Sequence, residues 1–492
     1  MTTTRVLARN TVLNVTGQAV PMVAALVSIP VLIRHLGAPR FGVLTLAWAA
    51  IGYFSLFDLG LGRALTHAVA ARLGTGREDS ELSEVAWTAL IAMVCLGALG
   101  GALIAALSPR LVGSILHIPA ELKDESLAAF YLLALSMPAV IATAGLRGLL
   151  EAHQDFGVAT ALRIPLALFT FVAPLAVLPF SRSLVPIVSV LVIGRYATCF
   201  AHLVLCVRRY EYLQHLTTPR LRVVIPLIRY GGWMTASNIA SPIMVYLDRF
   251  FIGATLAMTA VAQYVTPFEF VTKLLIFPNA MIAVVFPAFA STFVENPQRT
   301  AVLFERSLRI LVLLTFPLLL VIVLFAREGL SLWVGDAFAA GSAPVMQWLA
   351  VGIFANSVAQ APFAMLQGTG RPDVAAKLHL IELPLYVGLL AWMAHSYGIV
   401  GVAIAWTLRV TMDAVAMLML ANQRIVGLSR HVEPTLRVAA GAMAVLLCAC
   451  FVQGMLSKVL FLAASLALFG VLGWTRMMQP AERLYLRERS GL

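Results

Sequence analysis

The sequence predicts an all-α polytopic membrane protein with about fourteen transmembrane helices, arranged as two six-helix lobes followed by two C-terminal helices. Three observations support this class. Charged residues make up 12% of the 492 positions and hydrophobic residues 61%, whereas a soluble domain carries roughly 25% charged residues. Apolar windows long enough to cross a bilayer core about 30 Å thick follow one another along the chain. Several motifs also recur about 220 residues apart, which indicates an internal duplication.

The apolar windows are continuous rather than alternating, so they predict membrane-spanning helices. The predicted spans are residues 10–34, 41–66, 84–107, 125–147, 157–180, 184–207, 226–254, 259–290, 301–326, 341–366, 373–396, 398–422, 434–456 and 458–476. An even number of spans places both termini on one side of the membrane.

The distribution of Lys and Arg predicts which side that is. With a cytoplasmic N-terminus, about 25 of the 35 basic residues fall in the cytoplasm, as the positive-inside rule requires. The net charge of +12 is then explained by topology, and a nucleic-acid partner is not expected. All five cysteines lie in predicted spans, and no residue pattern indicates a metal site, a disulfide or a cofactor.

The internal repeat sets the predicted domain boundaries. The stretch 146–166 aligns with 366–385, so that Gly148 matches Gly368, Asp155 matches Asp373 and Pro165 matches Pro384. Six spans per unit with the same starting side predict a parallel repeat. We therefore expect an N-terminal lobe at 1–207, a basic cytoplasmic linker at 208–225, a C-terminal lobe at 226–422, two added helices at 434–476 and a cytoplasmic tail at 477–492.

Polar side chains form stripes on equivalent helices of the two predicted lobes. In the seventh span, Asn238, Ser241, Asp248 and Arg249 share one helical arc, and Asn14 and Gln18 lie on one face of the first span. A charge at the bilayer centre costs at least about 2.5 kcal/mol, so it must face protein or water. Stripes that face the gap between the lobes would line a wet central cavity.

Other charged residues lie inside predicted spans. Glu269 and Lys273 form an i,i+4 pair in the eighth span, and Asp58 and Arg63 lie in the second. Each opposite-charge pair has a second interpretation, in which its members only neutralise each other or a neighbouring helix. We favour such a structural role for Arg195 and Arg409, with Asp413 or Glu382 as the partner.

The combined motifs resemble those of the Wzx-type polysaccharide flippases, which belong to the multidrug/oligosaccharidyl-lipid/polysaccharide exporter superfamily. The motifs are "LFDLGLGRALTHAVA" at the end of span two, "LDRFFIG" in span seven, "VAQYV" at the start of span eight and "LQGTGRPDV" after span ten. The resemblance covers about residues 8–420 and rests on the order and spacing of all four motifs. It implies a MATE-like fold and a carrier rather than an enzyme.

The resemblance also implies a cargo and a location. Such a carrier lies in the bacterial inner membrane and turns undecaprenyl-diphosphate-linked oligosaccharide towards the periplasm, for O-antigen, capsule or exopolysaccharide assembly. Membrane lipids surround it, and the polysaccharide polymerase machinery is a candidate partner. The implied site residues fall into three groups: diphosphate contacts Arg249, Lys273 and Arg63; sugar contacts Asn14, Gln18, Asn238 and Ser241; and ion-coupling carboxylates Asp58, Asp248 and Glu269.

Three other functions are open at this stage. A drug or cation antiporter of the same fold would use the intramembrane carboxylates for proton or sodium coupling. A lipid II flippase is less favoured, because the first span carries no cation near its middle. A membrane glycosyltransferase or polymerase is disfavoured, because the predicted outside loops are short and contain no carboxylate pair or metal-ligand cluster.

Overall fold

The structure is a computed structural model that describes residues 4–477, apart from 55–60, 75–78, 154, 221, 223, 224, 226–243, 245, 280, 283, 284, 286–288, 290–292, 294–296, 370 and 426. Side chains are not described for residues 4–20 and for some other helical positions, including Arg63. The described residues form helices and contain no strand, which confirms the all-α class. The chain divides into two compact units, residues 1–262 and 263–492.

The α-helices of the described part are labelled in chain order. They are α1 (Thr4–Phe54), α2 (Leu61–Gly74), α3 (Asp79–Arg110), α4 (Lys123–Ala152), α5 (Phe156–Val177), α6 (Leu184–Arg209), α7 (Met258–Thr272), α8 (Pro297–Leu324), α9 (Ala326–Val334), α10 (Asp336–Gly368), α11 (Pro372–Arg424), α12 (Leu428–Ala449) and α13 (Met455–Leu472). Residues 246–255 are also helical.

Ten stretches of described helix are long and apolar enough to cross a membrane. Two of them contain two predicted spans each, because Gly37 (φ 76°) interrupts α1 and Gly398 (φ 60°) interrupts α11. Positive φ is a conformation that glycine adopts readily and other residues avoid. The ten stretches therefore correspond to twelve of the fourteen predicted spans. The seventh and eighth predicted spans lie partly outside the described residues.

Helix α4 is the centre of the first unit and contacts α1, α2, α3, α5 and α6. Its packing against α3 depends on small residues. A Cβ placed on Gly97 would lie 2.6 Å from Pro138 Cα, and one on Gly101 would lie 2.5 Å from the carbonyl oxygen of Ala134. Such close backbone approach is how membrane helices gain van der Waals contact without a hydrophobic driving force.

Two ion pairs join described helix ends of the first unit. In one, Arg220 Nη1 lies 3.1 Å from Glu84 Oε2, which joins the segment after α6 to the start of α3. In the other, Arg40 Nε lies 3.3 Å from Glu125 Oε2, which joins the turn inside α1 to the start of α4. These two contacts agree with helices that run alternately in opposite directions, as the order of the spans predicts. Which end lies in the cytoplasm remains a prediction.

Helix α10 is the core of the second unit, with 83% of its apolar window buried. It packs against α8, α9, α11 and α12. A Cβ on Gly352 would lie 2.4 Å from the Trp406 ring, so α10 and α11 are in close contact there. Two polar contacts attach the last two helices to this unit. Lys458 Nζ of α13 donates to Glu328 of α9 at 2.7 Å, and Thr435 Oγ1 of α12 donates to Glu305 of α8 at 3.1 Å.

The turns after α4 and α10 show how the repeat aligns in three dimensions. The amide of Asp155 donates to the carbonyl of Leu150 at 2.8 Å, and the amide of Arg371 donates to the carbonyl of Leu366 at 2.9 Å. Asp155 therefore corresponds to Arg371 at this turn, and Asp373 lies two residues further along. The predicted match of Asp155 with Asp373 is wrong by that shift, because weak sequence similarity does not fix the register of a repeat.

Candidate functional site

The Asp248–Arg249 pair lies in the helical stretch 246–255 and is buried. Asp248 is fully buried and Arg249 is 3% exposed. The backbone amide of Arg249 donates to Asp248 Oδ1 at 2.7 Å, and the guanidinium carbon lies 5.3 Å from the centre of the Tyr246 ring. A cation over an aromatic face is stabilised by the ring quadrupole. In this conformation both side chains are buried against the protein. The contact of Arg249 with a diphosphate and the role of Asp248 in ion coupling remain predictions.

The Glu269–Lys273 pair is more accessible. Lys273 Nζ donates to Glu269 Oε2 at 3.1 Å, and the two side chains are 35% and 21% exposed for Lys273 and Glu269 respectively. The backbone tightens from α7 into a 3₁₀ turn over Lys273–Leu275, a change that often marks a functional hinge. A partly exposed ammonium inside an apolar segment can exchange its carboxylate partner for another anion.

The remaining predicted site residues are only partly covered by the described residues. Asn14 and Gln18 lie in α1, four residues apart and thus on one helix face, and Arg63 lies in α2. Their side chains are not described. Asp58, Asn238 and Ser241 lie outside the described residues altogether. Their proposed contacts with sugar, phosphate or coupling ion therefore remain predictions.

A buried charged cluster in α11 contains residues that the sequence indicated and one that it did not. Arg409 Nη1 lies 3.8 Å from Glu382 Oε2, which is the structural pairing expected for Arg409. Asp413 Oδ1 lies 3.5 Å from His379 Nε2. His379 is absent from the residues predicted from the sequence, although its position three residues before Glu382 places both on one helix face.

This cluster could hold one cation. A ring nitrogen of His379 and carboxylate oxygens of Glu382 and Asp413 lie within 4.8 Å of one another. Among the described residues of this cluster the permanent positive charge is that of Arg409, so neutrality would require one more if both carboxylates are ionised. A proton on His379, a proton shared with a carboxylate or a small metal ion would each supply it. Arg195, in contrast, has no ion pair with any other described residue of its unit.

A second polar cluster lies outside the membrane-spanning segments, where the segment after α6 meets the turn between α4 and α5. Arg209 donates to both oxygens of Asp155, at 2.8 and 2.9 Å, and the Tyr210 hydroxyl donates to the same carboxylate at 2.7 Å. These hydrogen bonds lower the pKa of Asp155. The His153 ring stacks on Tyr210 at 3.8 Å, and burial lowers the pKa of His153.

The second unit has a looser version of the same contact. Arg424, at the end of α11, donates to the carbonyl oxygen of Thr369 at 3.4 Å. Arg209 thus joins the end of α6 to the turn after α4, and Arg424 joins the end of α11 to the turn after α10. In each predicted lobe these are the sixth and the fourth spans. This agreement is a structural trace of the predicted duplication.

Comparison with known proteins identifies the family. A model of the family described as "Polysaccharide biosynthesis protein" matches residues 7–293. A Shigella flexneri protein named for O-antigen transport is 31% identical over 428 residues, which cover 83% of this chain and 96% of that protein. The chain belongs to the polysaccharide biosynthesis protein family. The resemblance to polysaccharide flippases that the motifs indicated is therefore confirmed.

Solved structures support the fold of this family member. An inward-facing multidrug-resistance transporter of the MATE family aligns with a TM-score of 0.72 at 16% identity, over 85% of this chain and 99% of that one. The lipid II flippase MurJ in an inward closed conformation aligns with a TM-score of 0.68 at 11% identity, over 95% and 99%. At such low identity these similarities establish a shared fold and do not assign a cargo.

Proposed function

We propose that this family member flips a lipid-linked oligosaccharide across a bacterial inner membrane, from the cytoplasmic to the periplasmic leaflet. The observation that carries the proposal is the similarity to a Shigella flexneri protein named for O-antigen transport, which extends over 96% of that relative. Similarity over nearly the full length supports a shared role more strongly than a shared motif does. The fold of a multi-span carrier agrees with this role and with the expectation that the protein is not an enzyme.

The finer chemistry follows from the charge that the cargo must carry. An undecaprenyl-diphosphate-linked sugar loses hydration when its headgroup leaves water, and a positively charged side chain in a low-dielectric environment replaces part of that hydration. Lys273 is partly exposed, whereas Arg249 is buried. We therefore assign the first phosphate contact to Lys273. Arg249 would contribute only in a conformation that exposes it.

The orientation is part of the same proposal. We place both termini in the cytoplasm, because this choice leaves most basic residues on the cytoplasmic side. The basic segment around Arg220 is then cytoplasmic together with the start of α3, to which it is joined through Glu84. The polymerase machinery that would receive the flipped cargo lies on the opposite side.

A genetic experiment tests the proposed cargo. Deletion of the gene from its host should abolish a surface polysaccharide and cause its lipid-linked precursor to accumulate. The wild-type gene should restore the polysaccharide, and Lys273→Gln should not. Lys377→Gln is a matched control, since Lys377 is an exposed lysine on α11 that also pairs with a carboxylate four residues away. A deletion strain that keeps its surface polysaccharides and accumulates no precursor would contradict the proposal.

A further inference from the structure

A groove in the second unit lies between α8, α12 and α13. Its volume is about 630 Å³, within the range of roughly 300 to 1,000 Å³ that is typical of ligand pockets. Phe316 of α8, Val445 of α12, and Leu468 and Leu472 of α13 line its apolar part. The groove lies outside residues 7–293, the part of the chain that matches the family model.

Two arginines mark one end of the groove. Arg437 of α12 and Arg476, in the turn after α13, both line it and are exposed. Arg437 donates to Glu433 at the same end, and that pair is open to solvent, with side chains 76% and 57% exposed. Exposed ion pairs contribute little stability, so Arg437 can exchange Glu433 for another anion at small cost.

The groove runs along the helices from its charged end into an apolar region. Its lining extends on α12 from Glu433 to Val445, and from Ser465 in α13 to Arg476 in the helical turn that follows α13. At 1.5 Å per residue these segments are roughly 16 to 18 Å long. That length matches one leaflet of a bilayer core about 30 Å thick. Apart from Ser465, the described residues of the deeper lining offer no hydrogen-bonding side chain that could bind a sugar.

The charged end lies on the side that the sequence predicts to be cytoplasmic. Arg476 lies next to Met477, whose carbonyl oxygen accepts a hydrogen bond from Arg309 in the first half of α8. The cytoplasmic leaflet carries anionic lipids, and basic pockets between membrane helices on that side bind anionic headgroups. A guanidinium group also matches the geometry of a phosphate oxygen pair.

We propose that this groove binds an anionic glycerophospholipid of the cytoplasmic leaflet. One acyl chain lies along Phe316, Leu468 and Leu472, and the phosphate contacts Arg437 and Arg476. A lipid held in this way would fill the space between α8, α12 and α13 and stabilise the attachment of the two C-terminal helices to the rest of their unit. The inference does not depend on the identity of the transported cargo.

The test is lipid binding to the full-length purified protein in detergent, measured by native mass spectrometry with dioleoyl phosphatidylglycerol and dioleoyl phosphatidylcholine. We expect phosphatidylglycerol to bind at least about tenfold more tightly. Both lipids offer a phosphate to the two arginines, but the quaternary ammonium of phosphatidylcholine cancels the net negative charge of its headgroup and is repelled by Arg437 and Arg476. Equal affinity for the two lipids would overturn the proposal.

Three variants locate the site. Arg437→Gln with Arg476→Gln should reduce phosphatidylglycerol affinity about tenfold. Arg208→Gln with Arg430→Gln removes the same charge from exposed positions on the same predicted side and should leave the affinity unchanged. Gly441→Leu should also weaken binding, because a Cβ at Gly441, which lines the groove, meets nothing within 4 Å and the larger side chain would fill it.

The outcomes distinguish the occupants of the groove. Full phosphatidylglycerol binding by folded Gly441→Leu protein would contradict the proposal, since the site would then lie elsewhere. Lipid binding that is lost in Gly441→Leu, but that shows no preference for phosphatidylglycerol and is displaced by undecaprenyl phosphate, would also contradict the proposal. That result would show that the groove holds a prenyl chain. Thermal melting of each variant establishes that it is folded before its lipid affinity is compared.

Discussion

Individual charged residues in the spans differ in how far sequence could predict their roles. The i,i+4 spacing of Glu269 and Lys273 predicted their contact, which depends only on the local helix. Burial depends on distant packing. From the sequence, Arg249 and Lys273 are assigned the same role, whereas in the structure Arg249 is buried and Lys273 is partly exposed. The contact of His379 with Asp413 joins the two halves of α11 and could not be read from local spacing.

The buried cluster of α11 makes a stability prediction at the scale of single residues. Arg409→Met should destabilise the protein by about 3 to 5 kcal/mol, because two buried carboxylates lose their permanent countercharge. Adding Glu382→Gln should recover much of this loss. Arg195→Gln is the matched control, since Arg195 has no ion pair among the described residues of its unit, and it should cost little. Thermal unfolding in detergent measures all three; equal melting temperatures for Arg409→Met and wild type would contradict the structural role of Arg409.

At the scale of elements, the breaks within long helices determine how the spans turn. The break at Gly398 separates the two halves of α11, and it has φ 60° and ψ −140°, a combination that is nearly restricted to glycine. A chain with only alanine there would have to strain or shift the turn. The apolar windows predicted a boundary between spans eleven and twelve at this place, although they could not predict the backbone conformation.

Substitution of this glycine tests the turn. Gly398→Ala should lower stability by about 1 to 3 kcal/mol through backbone strain alone, because a Cβ there meets nothing within 4 Å. Gly388→Ala, in regular helix of the same element and equally free of contacts, should be neutral or slightly stabilising. Comparison of their melting temperatures checks both expectations. A tolerated Gly398→Ala variant would mean that the turn does not need positive φ.

The polar cluster between α6 and the α4–α5 turn should respond to pH. Burial lowers the pKa of His153, so protonation of the ring is less favourable in the folded state than in the unfolded state. As the pH falls below the ordinary value of 6.5, the unfolded state binds more protons at this ring than the folded state does, and stability decreases. The pKa of Asp155 is also lowered, but its contribution is lost only below its ordinary value of 3.8.

Hydrogen exchange can measure this response. Amide protection of residues 209–213 should decrease between pH 7.5 and 5.5 after correction for the intrinsic exchange rate. In His153→Gln, which cannot be protonated, the protection should be the same at both values. An equal loss of protection in wild type and variant would assign the pH response to another group.

At the scale of the whole molecule, composition and periodicity were enough to predict the fold class. Apolar windows depend on local sequence and on bilayer thickness, and so twelve predicted spans are recovered in the described helices. The register of the repeat was less certain, as the correspondence of Asp155 with Arg371 shows. The functional residues were the hardest to predict, because conformation decides which buried charges reach a cargo. The structure divides into compact units between residues 262 and 263, and the lobe boundaries at 207 and 226 remain predictions from the sequence.

The central claim is that the protein moves a lipid-linked diphosphate sugar across a bilayer, and reconstitution in liposomes tests it most directly. A fluorescent undecaprenyl-diphosphate oligosaccharide in the inner leaflet should become accessible to an external quencher only when the protein is present. Lys377→Gln should behave like wild type, and folded Lys273→Gln should be at least about tenfold slower, the loss expected for one charge-assisted contact. Ethidium efflux by the same liposomes without any lipid movement would contradict the account and favour a drug antiporter of the same fold.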